Sequence, residues 1–293
     1  MKKLLLCLLL FAGVTISKVQ AQLNPLTASY YQNQYIANPA MAGLDTALHI
    51  NLTYRNQWNS IPGAPTSQAL TGDYGFKKVG LGLNLYNDKS GLQRWTRVVG
   101  SYAYHLKLNN DEQHLHFGVS LGFSSERLDN SLINGSTDDV LIDAYNRRGT
   151  YIDGDAGAAY TSKRLTLQAA LPNLKHLFKD NDPSSLADRA TFFAAAAYKL
   201  SLSNSQDGMG LEPKVVFRGV KGLDNIVDAG ANLTFINNKL NLLAIYHTTK
   251  STTFGVGMQY QWININAAYT TETSALRRDA NGTFEINLRL SVF

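Results

Sequence analysis

Two histidines in the middle of the chain come nearest to a metal-ligand spacing. His114 and His116 are two positions apart, so in a β-strand both side chains lie on the same face. No further ligand follows at the spacing of a zinc site, and a polar pair on one strand face gives the same pattern. We therefore predict no metal site and no cofactor at this pair.

Aspartates cluster in two candidate loops, where they could solvate the loop or bind a cation. Neither set has the spacing of a calcium-binding loop, so we interpret both mainly as solvation and keep cation binding as the alternative. The aspartates are Asp138, Asp139, Asp143, Asp153 and Asp155 in or beside the first loop, and Asp180, Asp182 and Asp188 in the second.

Motifs for nucleotide binding or hydrolysis are missing from the sequence. Gly80-x-Gly82 and Gly255-x-Gly257 lack the third glycine of a dinucleotide fingerprint and open no helix. Glycines on a strand face instead allow a neighbouring group to approach closely. His105 and His247 face the predicted interior, but no serine pattern accompanies them. We predict that the protein is not an enzyme, with a barrel hydrolase as a distant alternative.

The N-terminus has the pattern of a secretory signal peptide. Met1-Lys2-Lys3 precedes an apolar run from Leu4 to Val14, and Val19-Gln20-Ala21 fits a cleavage site, so residues 1–21 are predicted to be removed. The mature chain then has no cysteine and a net charge of 24 − 22 = +2, because three of the 27 basic residues leave with the signal. So small a charge gives no indication of nucleic-acid binding.

Alternation of apolar and polar residues recurs from Leu48 to the end of the chain. In one example Leu115, Phe117, Val119, Leu121 and Phe123 oppose His114, His116, Gly118, Ser120 and Gly122. The second face carries small or amide residues with few charges, which is typical of a barrel lumen. The strands are about 9–12 residues long, which suits a tilted crossing of a bilayer.

The pattern predicts an all-β fold: a transmembrane antiparallel up-and-down β-barrel of about fourteen strands, formed by residues 47–293 in a bacterial outer membrane. The predicted strands are 47–56, 66–74, 77–87, 94–108, 113–125, 153–162, 164–171, 189–202, 211–219, 225–236, 239–248, 251–262, 263–271 and 282–293. Residues 22–46 precede them as an irregular segment that lies on the periplasmic side or plugs the lumen.

This irregular segment carries a resemblance to a known family. Gln34 to Gly43, followed by Tyr54-Arg55-x-Gln57-Trp58 and Pro65-Thr66, resembles the PorP/SprF family of Bacteroidetes. Weaker matches extend over essentially the whole mature chain: Asp73, Gly80-Leu81-Gly82, Asp88 to Gly91, Tyr102-Ala103-Tyr104, Leu171-Pro172-Asn173 and Glu285-Ile286-x-Leu288.

The resemblance implies an outer-membrane barrel of the type IX secretion system and gliding motility machinery. Implied partners are a large adhesin-like surface protein with a C-terminal sorting domain and periplasmic or peptidoglycan-linked components of the machinery. We expect cargo contact at loops 126–152 and 172–188. The predicted partner-binding residues are Tyr30, Tyr31, Tyr35, Asn38, Pro39, Gly43, Arg55 and Trp58. The alternative function is a porin-like solute channel, since so wide a barrel has room for an aqueous path.

Overall fold

The computed structural model describes residues 28–58, 60, 63–109, 112–129, 145–147, 149–175, 190–203, 208–220, 224–271 and 281–292. The predicted signal peptide, the core of both predicted cargo loops and the six aspartates from 138 to 143 and from 180 to 188 lie outside these residues. No helix among the described residues is long and apolar enough to cross a membrane.

Fourteen antiparallel strands make up the fold. They are β1 Leu48–Gln57, β2 Thr66–Phe76, β3 Val79–Ser90, β4 Gln93–Asn109, β5 Gln113–Leu128, β6 Thr150–Thr161, β7 Leu165–Leu171, β8 Ala190–Tyr198 with its short continuation Leu200–Ser201, β9 Gly210–Val220, β10 Ile226–Phe235, β11 Leu240–His247, β12 Ser251–Tyr260, β13 Ile263–Thr270 and β14 Thr283–Val292. The predicted number is confirmed, and each predicted boundary lies within three residues of the observed one.

The sheet closes on itself through its first and last strands. Leu48 of β1 pairs with Val292 of β14, and the register continues to Gln57 opposite Thr283. Every other strand pairs with its neighbours in sequence. A closed barrel leaves no unpaired edge, which is the condition for a sheet to cross a membrane.

Side chains alternate between lipid and lumen as the sequence predicts. On β5, Val119, Leu121 and Phe123 are 58%, 69% and 59% exposed, whereas the intervening Ser120 and Ser124 are buried. This outward apolar face is the surface that contacts the lipid chains of the membrane.

Connections differ between the two ends of the barrel. Those at the end where β1 begins and β14 finishes span at most eight residues, whereas the connection between Leu128 and Thr150 at the opposite end spans 21. We name these the turn end and the loop end. Because outer-membrane barrels carry short turns toward the periplasm and longer loops outside, we assign the turn end to the periplasm.

Candidate functional site

Residues 28–47, which we call the plug, occupy the lumen of the barrel. They form a one-turn helix, Ser29–Gln32, and two 3-10 turns, Gln34–Ile36 and Pro39–Met41. Side chains alone fill a barrel of about eight strands but not a wider one, so fourteen strands leave room for such a segment. The plug begins near the loop end of β9 and β10 and reaches the turn end beside β2 and β3.

A buried ion cluster holds the start of the plug. Asp228 forms an ion pair with Arg218 at 2.7 Å and accepts hydrogen bonds from Arg218 at 3.0 Å, from His247 Nδ1 at 2.6 Å and from the Tyr30 hydroxyl. Arg218 and Asp228 are completely buried, and the Arg218 guanidinium also lies over the Tyr30 ring at 5.4 Å from its centroid. Burial raises the pKa of Tyr30 well above its ordinary value, with Arg218 acting in the opposite direction, so the phenol stays a donor.

The second tyrosine of the plug forms a reciprocal contact with β9. The Tyr31 hydroxyl donates to the Lys214 carbonyl at 2.9 Å, and Lys214 Nζ donates to the Tyr31 carbonyl at 2.9 Å. Lys214 is buried and also pairs with Glu212 at 3.6 Å. Burial raises the pKa of Tyr31 above its ordinary value, so this phenol also remains protonated.

The middle of the plug hydrogen-bonds to strands around the whole barrel. Gln34 accepts a hydrogen bond from Gln168 of β7. In the remaining contacts the side chains of Gln32 and Asn33 donate to the wall, and the Tyr35 hydroxyl bonds to a serine hydroxyl. They are Gln32 to Asn266 at 2.8 Å on β13, Asn33 to Thr71 at 2.8 Å on β2, and Tyr35 to Ser101 at 2.8 Å on β4. Contacts of this kind fix the segment against the wall rather than leaving it in water.

Asn38 and Pro39 shape the next turn of the plug. The Asn38 side chain accepts a hydrogen bond from the Ala40 N–H at 3.0 Å, while its amide nitrogen donates to the Ala158 carbonyl at 3.2 Å. Pro39 occupies the first position of the 3-10 turn, where a missing N–H costs nothing. The asparagine-proline pair therefore caps a turn and ties it to β6.

Lumen-facing glycines make room for the plug backbone. A Cβ on Gly118 of β5 would collide with the backbone of Pro39 and Ala40, and one on Gly80 of β3 would collide with the Ala42 carbonyl. Gly43 meets the β2 backbone just as closely, has a φ of +63°, and donates its N–H to Asp73 at 2.9 Å. Of the glycines that sequence analysis interpreted as sites of close approach, Gly80 and Gly82 therefore face the plug, whereas Gly255 and Gly257 of β12 meet residues of the neighbouring strands.

Two of the lumen histidines join in a chain of hydrogen bonds. His105 Nε2 donates to the Ala42 carbonyl at 3.1 Å, so its Nδ1 accepts from His116 Nδ1 at 2.8 Å, and His116 Nε2 accepts from Thr161 at 2.8 Å. The His114 ring stacks on His116 at 5.9 Å. No group of three or more histidine, cysteine, aspartate or glutamate side chains within the described ranges is arranged to hold a metal ion.

The structure places most of the eight predicted partner-binding residues inside the barrel. Tyr30, Tyr31, Tyr35, Asn38, Pro39 and Gly43 are buried in the plug. Arg55 is buried on β1, opposite Glu285 and hydrogen-bonded to Gln57, and Trp58 is half-buried at the loop end with a φ of +53°. Their role in partner binding stays a prediction, and any partner reaches them from within the lumen.

Among the described residues, the two largest open spaces that border the plug lie on opposite sides of it. The outer vestibule is a cavity of about 80 Å³ on the loop-end side, beneath β3 to β8. Its floor includes Tyr35, Asn38 and Pro39, and its wall carries Tyr86 and Trp95, with ring centroids 5.0 Å apart. Asn84 is buried there, and its Oδ1 accepts no hydrogen bond from any residue that the structure describes.

The inner vestibule lies on the other face of the plug and is larger, at about 420 Å³. It is situated at the turn end beneath β9 to β14 and β1, and Tyr31, Gln32 and Gln34 of the plug form its inner limit. Amide side chains dominate its wall: Asn51, Asn232, Asn238, Asn241, Gln259, Asn264, Asn266 and Asn287.

A serine, a histidine and an aspartate meet at the rim of this vestibule. His49 Nδ1 bonds to Ser291 Oγ at 2.9 Å, and its Nε2 bonds to Asp45 at 2.8 Å. Asp45 is 61% exposed, and the Ser291 N–H is already used by the Trp262 carbonyl in the ladder. A hydrolase needs free backbone donors for its oxyanion, so we interpret this chain as orienting His49.

Sequence analysis missed the groups that hold the plug and line its two faces. The predicted site residues did not include Arg218, Asp228, Asn84, Arg289 or Trp95. Strand parity alone places Arg218 inward, because it alternates with the outward-facing Val215 and half-buried Phe217. Parity does not show which lumen charges meet across the barrel.

A closed fourteen-stranded barrel with an apolar outer face defines an integral outer-membrane protein with an internal plug. A family model described as "Type IX secretion system membrane protein PorP/SprF" matches residues 19–290, and the chain therefore belongs to that family. The predicted family is thus confirmed, together with the outer-membrane location.

Solved structures of other outer-membrane proteins show a remote similarity. The Acinetobacter baumannii outer membrane protein Omp33 matches with a TM-score of 0.48 and 10% identity, over 84% of this chain and 99% of that chain. A triple mutant of the Rhodopseudomonas blastica porin matches with a TM-score of 0.35 and 9% identity, over 84% and 98%. No curated protein matches the sequence.

Proposed function

We propose that this protein is a closed docking barrel of the type IX secretion system, without enzymatic activity. In this role it helps to secrete, or anchors, a large surface protein through that protein's C-terminal sorting domain. The observation that carries the proposal is the plug, which hydrogen-bonds to β2, β4, β6, β7, β9, β10 and β13. A lumen filled in this way favours attachment over passage of solutes.

The outer vestibule supports a docking role on the side that we assign to the cell exterior. Trp95 and Tyr86 present aromatic surface there, and aromatic residues in a pocket are common anchors of protein interfaces. Tyr35, Asn38 and Pro39 form the floor, so part of the predicted partner-binding set faces this space. A side chain of the cargo fits the cavity, and the loops around it would carry the remaining contact.

Affinity purification of the tagged barrel from native outer membranes tests the proposal. We expect recovery of a large surface protein with a C-terminal sorting domain. Trp95→Ala should reduce its recovery, whereas Trp262→Ala at the opposite mouth serves as the matched control and should not. Equal recovery from the two variants would contradict docking at the outer vestibule, and the lack of any such cargo would contradict the function.

Conductance in planar bilayers tests the solute-channel alternative. The purified barrel should show little steady conductance, because the plug crosses the lumen from the loop-end half to the turn end. A stable, solute-selective open state in the unmodified protein would overturn the closed-barrel proposal.

A further inference from the structure

The inner vestibule has the size of a ligand site. Its volume of about 420 Å³ lies within the range of about 300–1,000 Å³ that is usual for such sites. It is formed at the turn end, with Asn238 and Trp262 at its rim. Access is therefore from the side that we assign to the periplasm, and the outer vestibule lies on the opposite face of the plug.

One polar atom in the wall is buried without a partner. Asn51 is 2% exposed, and its Oδ1 accepts no hydrogen bond in the described part of the chain. A buried acceptor left unpaired has lost its hydrogen bonds to water without replacing them, which is energetically unfavourable. A ligand with an N–H or O–H group would satisfy this atom.

Arg289 supplies a positive charge without an ion-pair partner, among the described residues, beside Asn51. The two residues are direct cross-strand partners on β14 and β1, and both line the vestibule. Among the described residues, no carboxylate lies within ion-pair distance of Arg289, and its buried Nε has no partner. The other charged groups of the wall are already engaged, since Lys214 pairs with Glu212 and His49 with Asp45.

The chemistry of the wall favours a peptide over a sugar. Each asparagine or glutamine side chain offers a donor and an acceptor that match the two polar groups of a peptide unit. Sugars usually stack on aromatic rings, but the Tyr31 ring here is covered by Lys214 at 4.8 Å, and Trp262 lies at the rim. Arginine binds carboxylates through two parallel hydrogen bonds.

We propose that the inner vestibule binds the carboxyl-terminal segment of a periplasmic protein. Asparagine and glutamine side chains of the wall pair with its backbone, Asn51 accepts one of its N–H groups, and Arg289 binds its terminal carboxylate. The site adds a periplasmic attachment to the barrel and stands whether or not the outer vestibule binds cargo.

Titration calorimetry on the full mature barrel in detergent micelles tests this proposal. The probes are tetra-alanine with a free carboxylate, the same peptide with an amidated C-terminus, and a short galacturonate oligomer that offers carboxylates without peptide groups. Free tetra-alanine should bind at least about tenfold more tightly than the amidated form, which is the usual value of a hydrogen bond to a charged group. Arg289→Gln should abolish that difference.

The control for Arg289→Gln is Arg94→Gln, which removes an arginine at the opposite mouth and should leave binding unchanged. Asn51→Leu removes the unpaired acceptor and should weaken both peptides several-fold while preserving their ratio. Heat-modifiable electrophoretic mobility verifies that each variant is folded. Equal binding of free and amidated peptide, preference for the galacturonate oligomer, or no binding of either peptide would overturn the proposal.

Discussion

The buried pair of Arg218 and Asp228 allows a sharp prediction about how the wall and the plug depend on each other. Both side chains are 0% exposed, and they are joined by an ion pair of 2.7 Å and a hydrogen bond of 3.0 Å. Removing one member of a buried pair costs about 3–5 kcal/mol, because the remaining charge stays in a poorly solvated place. We therefore expect Asp228→Leu to lower the free energy of unfolding by that amount.

The double variant Asp228→Leu/Arg218→Met should be more stable than the sum of the single changes implies. It removes the charges of both Arg218 and Asp228 and leaves the Tyr30 hydroxyl and His247 Nδ1 without their acceptor. Each such donor costs about 1–3 kcal/mol, so the double variant does not return to the stability of the unmodified protein. A coupling energy of at least about 2 kcal/mol is expected from the cycle.

Urea-dependent folding into lipid vesicles, followed by tryptophan fluorescence and by heat-modifiable mobility, measures these energies. Lys163→Met is the control, because its ion pair with Glu112 is long, at 3.6 Å, and mostly exposed. Its loss should change stability by less than about 1 kcal/mol. Additive effects in the Arg218 and Asp228 cycle, or single changes as small as the control, would refute the assignment of a buried coupled pair.

Three further variants examine the plug and the lipid face. Tyr30→Phe removes one donor to the Asp228 carboxylate and should cost about 1.5–3 kcal/mol in the same assay; an unchanged unfolding midpoint would mean that this hydrogen bond contributes nothing. Gly118→Leu should displace the plug and raise planar-bilayer conductance. Gly100→Leu is the control, because this glycine has open space around it, and it should leave the conductance unchanged. Equal conductance of the two variants would contradict the packing of the plug on β5. Leu121→Arg places a charge on the lipid face. It should lower the free energy of unfolding by about 2–4 kcal/mol for a position near the bilayer centre. Membrane insertion without loss of stability would contradict the assigned orientation of β5.

The strands could be predicted because their pattern is local. Alternation over a few residues decides which side chains face lipid. A shift of the strand register by one residue would turn its whole polar face toward the lipid. The observed exposure of Val119, Leu121 and Phe123 follows the predicted parity. Strand count and boundaries follow from the same signal, because each strand is bounded by a turn or loop with no alternation.

The plug could be predicted only as one of two alternatives. Its residues have no regular period, and their partners are far away in sequence: Tyr30 bonds to Asp228 across 198 positions, and Asn38 bonds to Gln168 across 130. Such contacts depend on barrel closure, which brings distant strands around one lumen. Gly80 and Gly82 gave the local indication that some group approaches the wall closely.

The geometry of the plug separates the residues that shape it from those that it leaves accessible. The segment Gln34 to Gly43 carries the strongest resemblance to the family, and the structure uses its asparagine-proline turn and Gly43 to fit the lumen. Residues committed to that packing have few atoms left for a partner. We infer that partner selectivity resides in groups that the plug leaves unsatisfied, Asn84 on one face and Asn51 with Arg289 on the other, because these are the positions at which binding would relieve an energetic cost.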